Sequence, residues 1–202
     1  MDRTGIVTGR AGELRTLIGS FALSFALFAV AFGDWRFGLG FVVLILIHEL
    51  GHVAEARRQG VHATLPTFVP FIGAYVLIRK DGLAPWRNAL ISLAGPLAGG
   101  VASAAVWAVG SARGSHLLLV LASYGFLLNA ANLLPIGILD GGGALRGITD
   151  TWRRPAIRYE NGVPVEASAP ERSRAVQIAV LYVLLAAALV VCAIATRHSG
   201  AF

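Results

Sequence analysis

The sequence predicts an all-α polytopic membrane protein with about five to six transmembrane helices and one membrane-embedded, β-rich re-entrant loop. Three observations lead there. Of 202 residues, 56% are hydrophobic and only 14% are charged, too apolar a balance for a soluble domain of this length. The apolar residues fall in long blocks, and about 20 helical residues at ~1.5 Å rise are enough to cross a hydrocarbon layer of ~30 Å. One apolar stretch, residues 62–80, contains Pro66, Pro70 and Gly73, which spoil a helix. It is too short to span and too apolar for a solvent loop, and its β-branched and aromatic content favours extended backbone. Such backbone is tolerated at membrane depth only where protein or a water-filled cavity covers it.

The elements follow in order. Residues 1–15 read as a polar tail with Arg3, Arg10 and Arg15. Residues 17–32 form the first span, and Gly33, Asp34 and Arg36 make a tight connection to a second at about 37–56. After the re-entrant loop, residues 88–109 form a third span in which Gly95 and Gly99, four apart, offer a face for close helix packing. Pro96 can kink it. A fourth span covers about 116–134 and ends in Asn129, Asn132 and Pro135; a short helix is expected over 144–153. Residues 154–172 are polar, with Asn161-Gly162 suited to a hairpin turn, and about 150–172 is expected to form a cytoplasmic loop. The fifth span is about 175–196, and the whole of 1–202 reads as one integral-membrane domain.

Charge assigns the orientation. With the N-terminus inside, fourteen basic residues fall in inside segments and three (Arg36, Arg113 and Arg197) outside. That places the N-terminus in the cytoplasm and the C-terminus outside. The net charge of +6 therefore reflects topology rather than a nucleic-acid partner. The single cysteine, Cys192, excludes a disulfide framework or a cysteine metal cluster within one chain. No cleavable signal peptide is expected, because the N-terminus is polar as far as Glu13.

The second span carries the chemistry. Phe37 to Ile47 has no polar side chain, and then His48, Glu49 and His52 arrive together in His48-Glu49-Leu50-Gly51-His52. Positions i and i+4 share a helix face, so both imidazoles can reach one ion. Such a pair suits Zn²⁺, one per chain, and a glutamate beside the first ligand can take a proton from an attacking water. Ionisable groups inside a span are expensive and mark a functional site. By the helical rise His48 lies roughly 12 Å from Ala56, nearer the cytoplasmic end.

Catalytic zinc sites use three protein ligands. Asp140, Glu55, His62, His116 and Asp150 are the candidates for the third. Asp140 is best placed, at the cytoplasmic end of the fourth span with glycines after it that let backbone approach closely. It could instead, or also, cap the helix that follows.

His-Glu-Leu-Gly-His within a span, Ala94-Gly95-Pro96 in the next, and Asn132-Leu133-Leu134-Pro135 followed by Leu139-Asp140-Gly141-Gly142 resemble the site-2 protease family of intramembrane zinc metalloproteases. The resemblance covers most of residues 37–150. It implies that His48, His52 and Asp140 bind zinc, that Glu49 is the general base, and that Asn132 contacts substrate backbone or stabilises the oxyanion. The bland role for an asparagine here is an interhelical hydrogen bond, which fits Asn129 better. Phe71-Ile72-Gly73 resembles the family's membrane-embedded β-region, so Phe71 and Gly73 are expected to contact substrate, and an exposed edge there could accept an unwound strand. Gly137 departs from the family, which often has a second proline at that position. No PDZ or CBS module fits in the remaining residues, so the chain reads as a minimal core.

The activity implied is hydrolysis of peptide bonds in or beside the transmembrane segment of a single-span membrane protein. Two other readings are a non-catalytic membrane adaptor of the same fold and a membrane zinc hydrolase acting on a non-peptide substrate. A metal transporter is disfavoured because the first and last spans supply almost no polar residues for a path.

Overall fold

In the computed structural model the described residues are 9–71, 73–79, 83–153, 158–160, 163–165 and 169–198. Six helices carry most of them: α1 (Arg10–Phe32), α2 (Trp35–Arg58), α3 (Pro85–Arg113), α4 (His116–Asn132), α5 (Asp140–Arg153) and α6 (Ala169–His198). The described residues also form two short antiparallel hairpins, β1 (Thr67–Val69) with β2 (Gly73–Tyr75) and β3 (Arg158–Glu160) with β4 (Val163–Val165). The second hairpin flanks Asn161-Gly162, whose own conformation lies outside the described residues, as does Ile72.

Local chemistry sets the helix ends. Gly33 stops α1 in the left-handed conformation at φ 68°, which glycine adopts without a Cβ clash. Asp34 then caps α2, its carboxylate accepting from the Arg36 N–H at 2.8 Å. Pro85 sits in the first turn of α3, where its missing N–H costs nothing, and Gly114 ends that helix at φ 62°. Helix α3 runs on through Pro96.

Four helices (α1, α2, α3 and residues 172–196 of α6) are long and apolar enough to cross a membrane; α4 is apolar but has only 17 residues. Helix α3 lies at the centre and packs against α2, α4, α5 and α6. One apolar core joins Leu93 of α3 to Ala122 and Phe126 of α4 and to Ile178 and Leu189 of α6. A cluster of rings, Phe28, Phe32, Phe37, Phe41 and Tyr124, ties α1 to α2 and α4 with centroids 4.7–6.3 Å apart.

Several boundaries differ from expectation, among them the start of α6 at Ala169, inside the expected 150–172 loop; two others bear on the site. Helix α1 begins at Arg10, inside the expected polar tail, and Glu13 accepts from the Leu65 N–H at 3.2 Å. Two turns further on, Ser20 Oγ accepts from the Phe68 N–H at 3.1 Å, and Phe68 is buried edge-on against Phe21. The first helix thus holds the β1 hairpin through backbone donors that would otherwise be unpaired. Helix α5 begins at Asp140, four residues before the expected start. The Leu139 carbonyl accepts from Gly143 N–H and opens the helix, a bond that sequence patterning does not reveal.

Candidate metal centre

Helix α2 places His48, Glu49 and His52 where it turns inward. All three are buried, whereas Leu50 is exposed on the opposite face. The neighbouring helices leave room for them. A Cβ on Gly95 of α3 would collide with the His52 ring, and one on Gly51 would meet the Ala94 carbonyl and Ala98 Cβ, the latter at 2.8 Å. The small-residue face expected of α3 is therefore the surface against which a histidine of α2 and an asparagine of α4 are seated. Gly99 faces the Asn129 amide in the same way.

Asp140 arrives from the other side. After α4 the chain turns through Leu133 to Leu139, and the glycines that follow bring α5 under that loop. A Cβ on Gly141 would meet the Leu133 carbonyl, one on Gly142 the Ile136 carbonyl, and one on Gly143 the Ser92 hydroxyl at 2.6 Å. The Asp140 carboxylate reaches both imidazoles, with Oδ2 3.0 Å from His48 Nε2 and Oδ1 3.2 Å from His52 Nε2. The two Nε2 atoms are 3.2 Å apart. Among the described residues this is the group of His, Cys, Asp and Glu side chains assembled so as to hold a metal. Glu55 instead pairs with Arg58 at 2.7 Å and accepts from Gln59. His62, His116 and Asp150 are outside the group; His116 begins α4, about 20 Å along the helix from Asn129 by the helical rise.

The outer nitrogen of each ring is also engaged. His52 Nδ1 lies 2.8 Å from the Ile91 carbonyl, which can only accept, so Nδ1 carries the proton. His48 Nδ1 lies 2.8 Å from Asn129 Oδ1. The Asn129 amide nitrogen donates to the Gly125 carbonyl at 2.7 Å, which turns its oxygen towards the histidine. Asn129 thus makes the interhelical bond expected of it. When both rings are neutral, as metal ligands must be, the Nε2 lone pair then points inward, at the other ring and at a carboxylate. Three electron-pair donors held 3.0–3.2 Å apart repel unless a cation lies between them. Ligands ~2.0–2.1 Å from a tetrahedral zinc stand about 3.3 Å from one another, so the donor set and its spacing fit that ion.

A cavity of about 410 Å³ opens onto this group. His48, Glu49, His52, Asp140 and Asn132 line it, so Asn132 shares a space with the candidate ligands. Ser92 and Ile138 line it too, and neither stands out in the sequence. The remaining wall is Ile91 and the run Ala74 to Ile78, the latter comprising the end of β2 and its extension. Phe71 and Gly73 are not on that wall. Phe71 is at the turn, with φ 63°, and its ring stands 5.9 Å from Phe28. The cavity-lining part of the β-region therefore begins one residue after the segment singled out by sequence.

Apolar helices of membrane-crossing length around a buried two-histidine, one-carboxylate site define a class, a membrane protein with a candidate metal centre. Comparison with known proteins narrows it. The family model described as peptidase family M50 matches residues 36–114, which contain His48, Glu49 and His52. The chain is thus similar, over residues 36–114, to the site-2 protease family. It is 31% identical over 155 residues to the probable zinc metalloprotease EGY1, chloroplastic, of Arabidopsis thaliana, a match covering 54% of this chain and 28% of that protein. The protein of the same name from Oryza sativa subsp. japonica is 29% identical over 155 residues, covering 54% of this chain and 27% of its own. The chain accordingly spans less than a third of the length of these curated relatives. No solved structure matches it.

Proposed function

We propose that the chain is an intramembrane zinc endopeptidase that cleaves single-span membrane proteins in or near the transmembrane segment. The observation carrying this reading is the convergence of His48, His52 and Asp140 beside Glu49 on one cavity that is also lined by the end of β2 and the extended chain that follows it. Zinc held by the three ligands would supply Lewis-acid polarisation of the scissile carbonyl and a more acidic water. Glu49 takes a proton from the attacking water and returns it to the leaving amine. Asn132, on the same cavity, hydrogen-bonds substrate backbone beside the reacting carbonyl.

A substrate helix must unwind before cleavage, since its carbonyls are bonded within the helix. On one edge β2 pairs with β1, and on its other edge no strand pairs among the described residues. An extended substrate adding there would satisfy its exposed N–H and C=O groups while lying against Glu49. This edge favours a peptide over a non-peptide substrate. The β1–β2 region then acts as the membrane-embedded re-entrant element, with Phe71 and Gly73 at its tip. Helices α1, α2, α3, α4 and α6 serve as five spans of one domain, with the N-terminus cytoplasmic, the C-terminus outside and the site open to the cytoplasm, in line with the distribution of arginines.

The test is a cleavage assay on purified protein in detergent with a panel of single-span substrates, run beside metal analysis. One zinc per chain, with cleavage abolished by chelator and restored by zinc, is the expected result. A metal-free protein with full peptidase activity overturns the proposal.

A further inference from the structure

The two histidines are anchored by different means. The acceptor for His52 is the backbone carbonyl of Ile91, which any residue at that position would supply. The acceptor for His48 is a side chain from another helix, Asn129, which is 0% exposed. We infer that Asn129 is a positioning residue for the metal centre: its amide oxygen holds His48 in the tautomer that presents Nε2, and thereby sets zinc affinity. This rests on the zinc-site reading above.

The amide has no freedom to do otherwise. Its nitrogen is committed to the Gly125 carbonyl one turn back on α4, at 2.7 Å. Its space is cut from α3 at Gly99, where a Cβ would come within 2.6 Å of Asn129 Nδ2. The Gly99 carbonyl in turn accepts from Ser103 Oγ at 2.7 Å, and Ser103 is itself buried against Gly125. Gly99, Ser103, Gly125 and Asn129 therefore form a packed unit between α3 and α4 whose one outward-directed group is an acceptor aimed at His48 Nδ1. With that acceptor removed, the ring can carry its proton on Nε2, where it blocks ligation. Acceptors behind ligating histidines typically change metal affinity 10–100-fold (about that range) when removed.

An interhelical bond that merely holds α2 to α4 predicts something different: it would affect unfolding and leave the affinity of the folded protein alone. Zinc dissociation constants by chelator competition, with detergent unfolding midpoints alongside, separate the two. Asn129→Leu is expected to weaken zinc about 10–100-fold, and Asn129→Asp, which keeps an acceptor facing Nδ1, to recover most of it. Equal affinity in wild type and a folded Asn129→Leu overturns the inference, and so does a folded Asn129→Asp as weak as the leucine variant. Should the variants not fold, cadmium NMR of wild type carrying isotope-labelled histidine decides, with metal coupling expected through Nε2 of His48 and coupling through Nδ1 overturning the inference. A wild type that binds no zinc at all refutes the zinc-site reading itself.

Discussion

Helices α2 and α1 are neighbours in sequence and in space, similar in length and equal in mean hydropathy at 1.8, yet they are built for different surroundings. Half of the apolar stretch of α2 is buried inside the protein, against 6% of that of α1. Helix α3 resembles α2 at 50%, and α6 resembles α1 at 11%. The inner pair is cut with glycines that let rings and backbone approach: Gly51, Gly95 and Gly99 each face an atom of another helix too closely for a Cβ. In α1, Gly19 faces open space. The difference teaches that apolarity brings a helix into the bilayer, whereas small residues decide whether it reaches the centre of the bundle. Without a hydrophobic drive between helices in lipid, close packing and polar contacts do the selecting.

Substitutions can break or sharpen that division. The largest effect is expected at the ligands. Asp140→Asn should lose stoichiometric zinc by metal analysis and cleavage to background; retained zinc would remove Asp140 from the site. Next comes Glu49→Gln, expected to keep zinc while cleavage falls by about 10²–10⁴-fold, as read by single-turnover assays. Normal turnover in that variant would end its role as base.

Gly95→Val tests the inner packing. The added atoms meet the His52 ring, so thermal midpoints should show destabilisation of about 1–3 kcal/mol together with weaker zinc binding. Ser20→Ala reaches the boundary between the two regions. It strips the acceptor from the Phe68 N–H, at a cost of about 1 kcal/mol, and hydrogen exchange at that amide should quicken with zinc affinity unchanged. Smallest of all is Val30→Leu on the outward face of α1, where the side chain is 81% exposed. Its effect on the unfolding midpoint should stay within about 0.5 kcal/mol. A penalty there as large as that of Gly95→Val would erase the distinction between inner and outer helices.

Much of this was legible in the chain. Long apolar blocks give helices whatever their neighbours, because backbone without water must bond to itself. The spacing of His48 and His52 determines that they share a face before any fold exists. Asp140 and its glycines were recognisable by type and position. Other features depend on distance between segments remote in sequence. That Ile91 and Asn129 supply the acceptors behind the two rings, that Ser92 and Ile138 join the cavity wall, and that Ala74 to Ile78 rather than Phe71 face Glu49 follow only from how α2, α3, α4 and the β1 hairpin dock. The sequence by itself determined which residues are candidates for the chemistry and which stretches are largely helical, since periodicity and hydropathy act locally. The tertiary structure alone decided which nitrogen of each histidine faces the candidate metal position, because that depends on a hydrogen bond from another helix, and no local pattern encodes the partner.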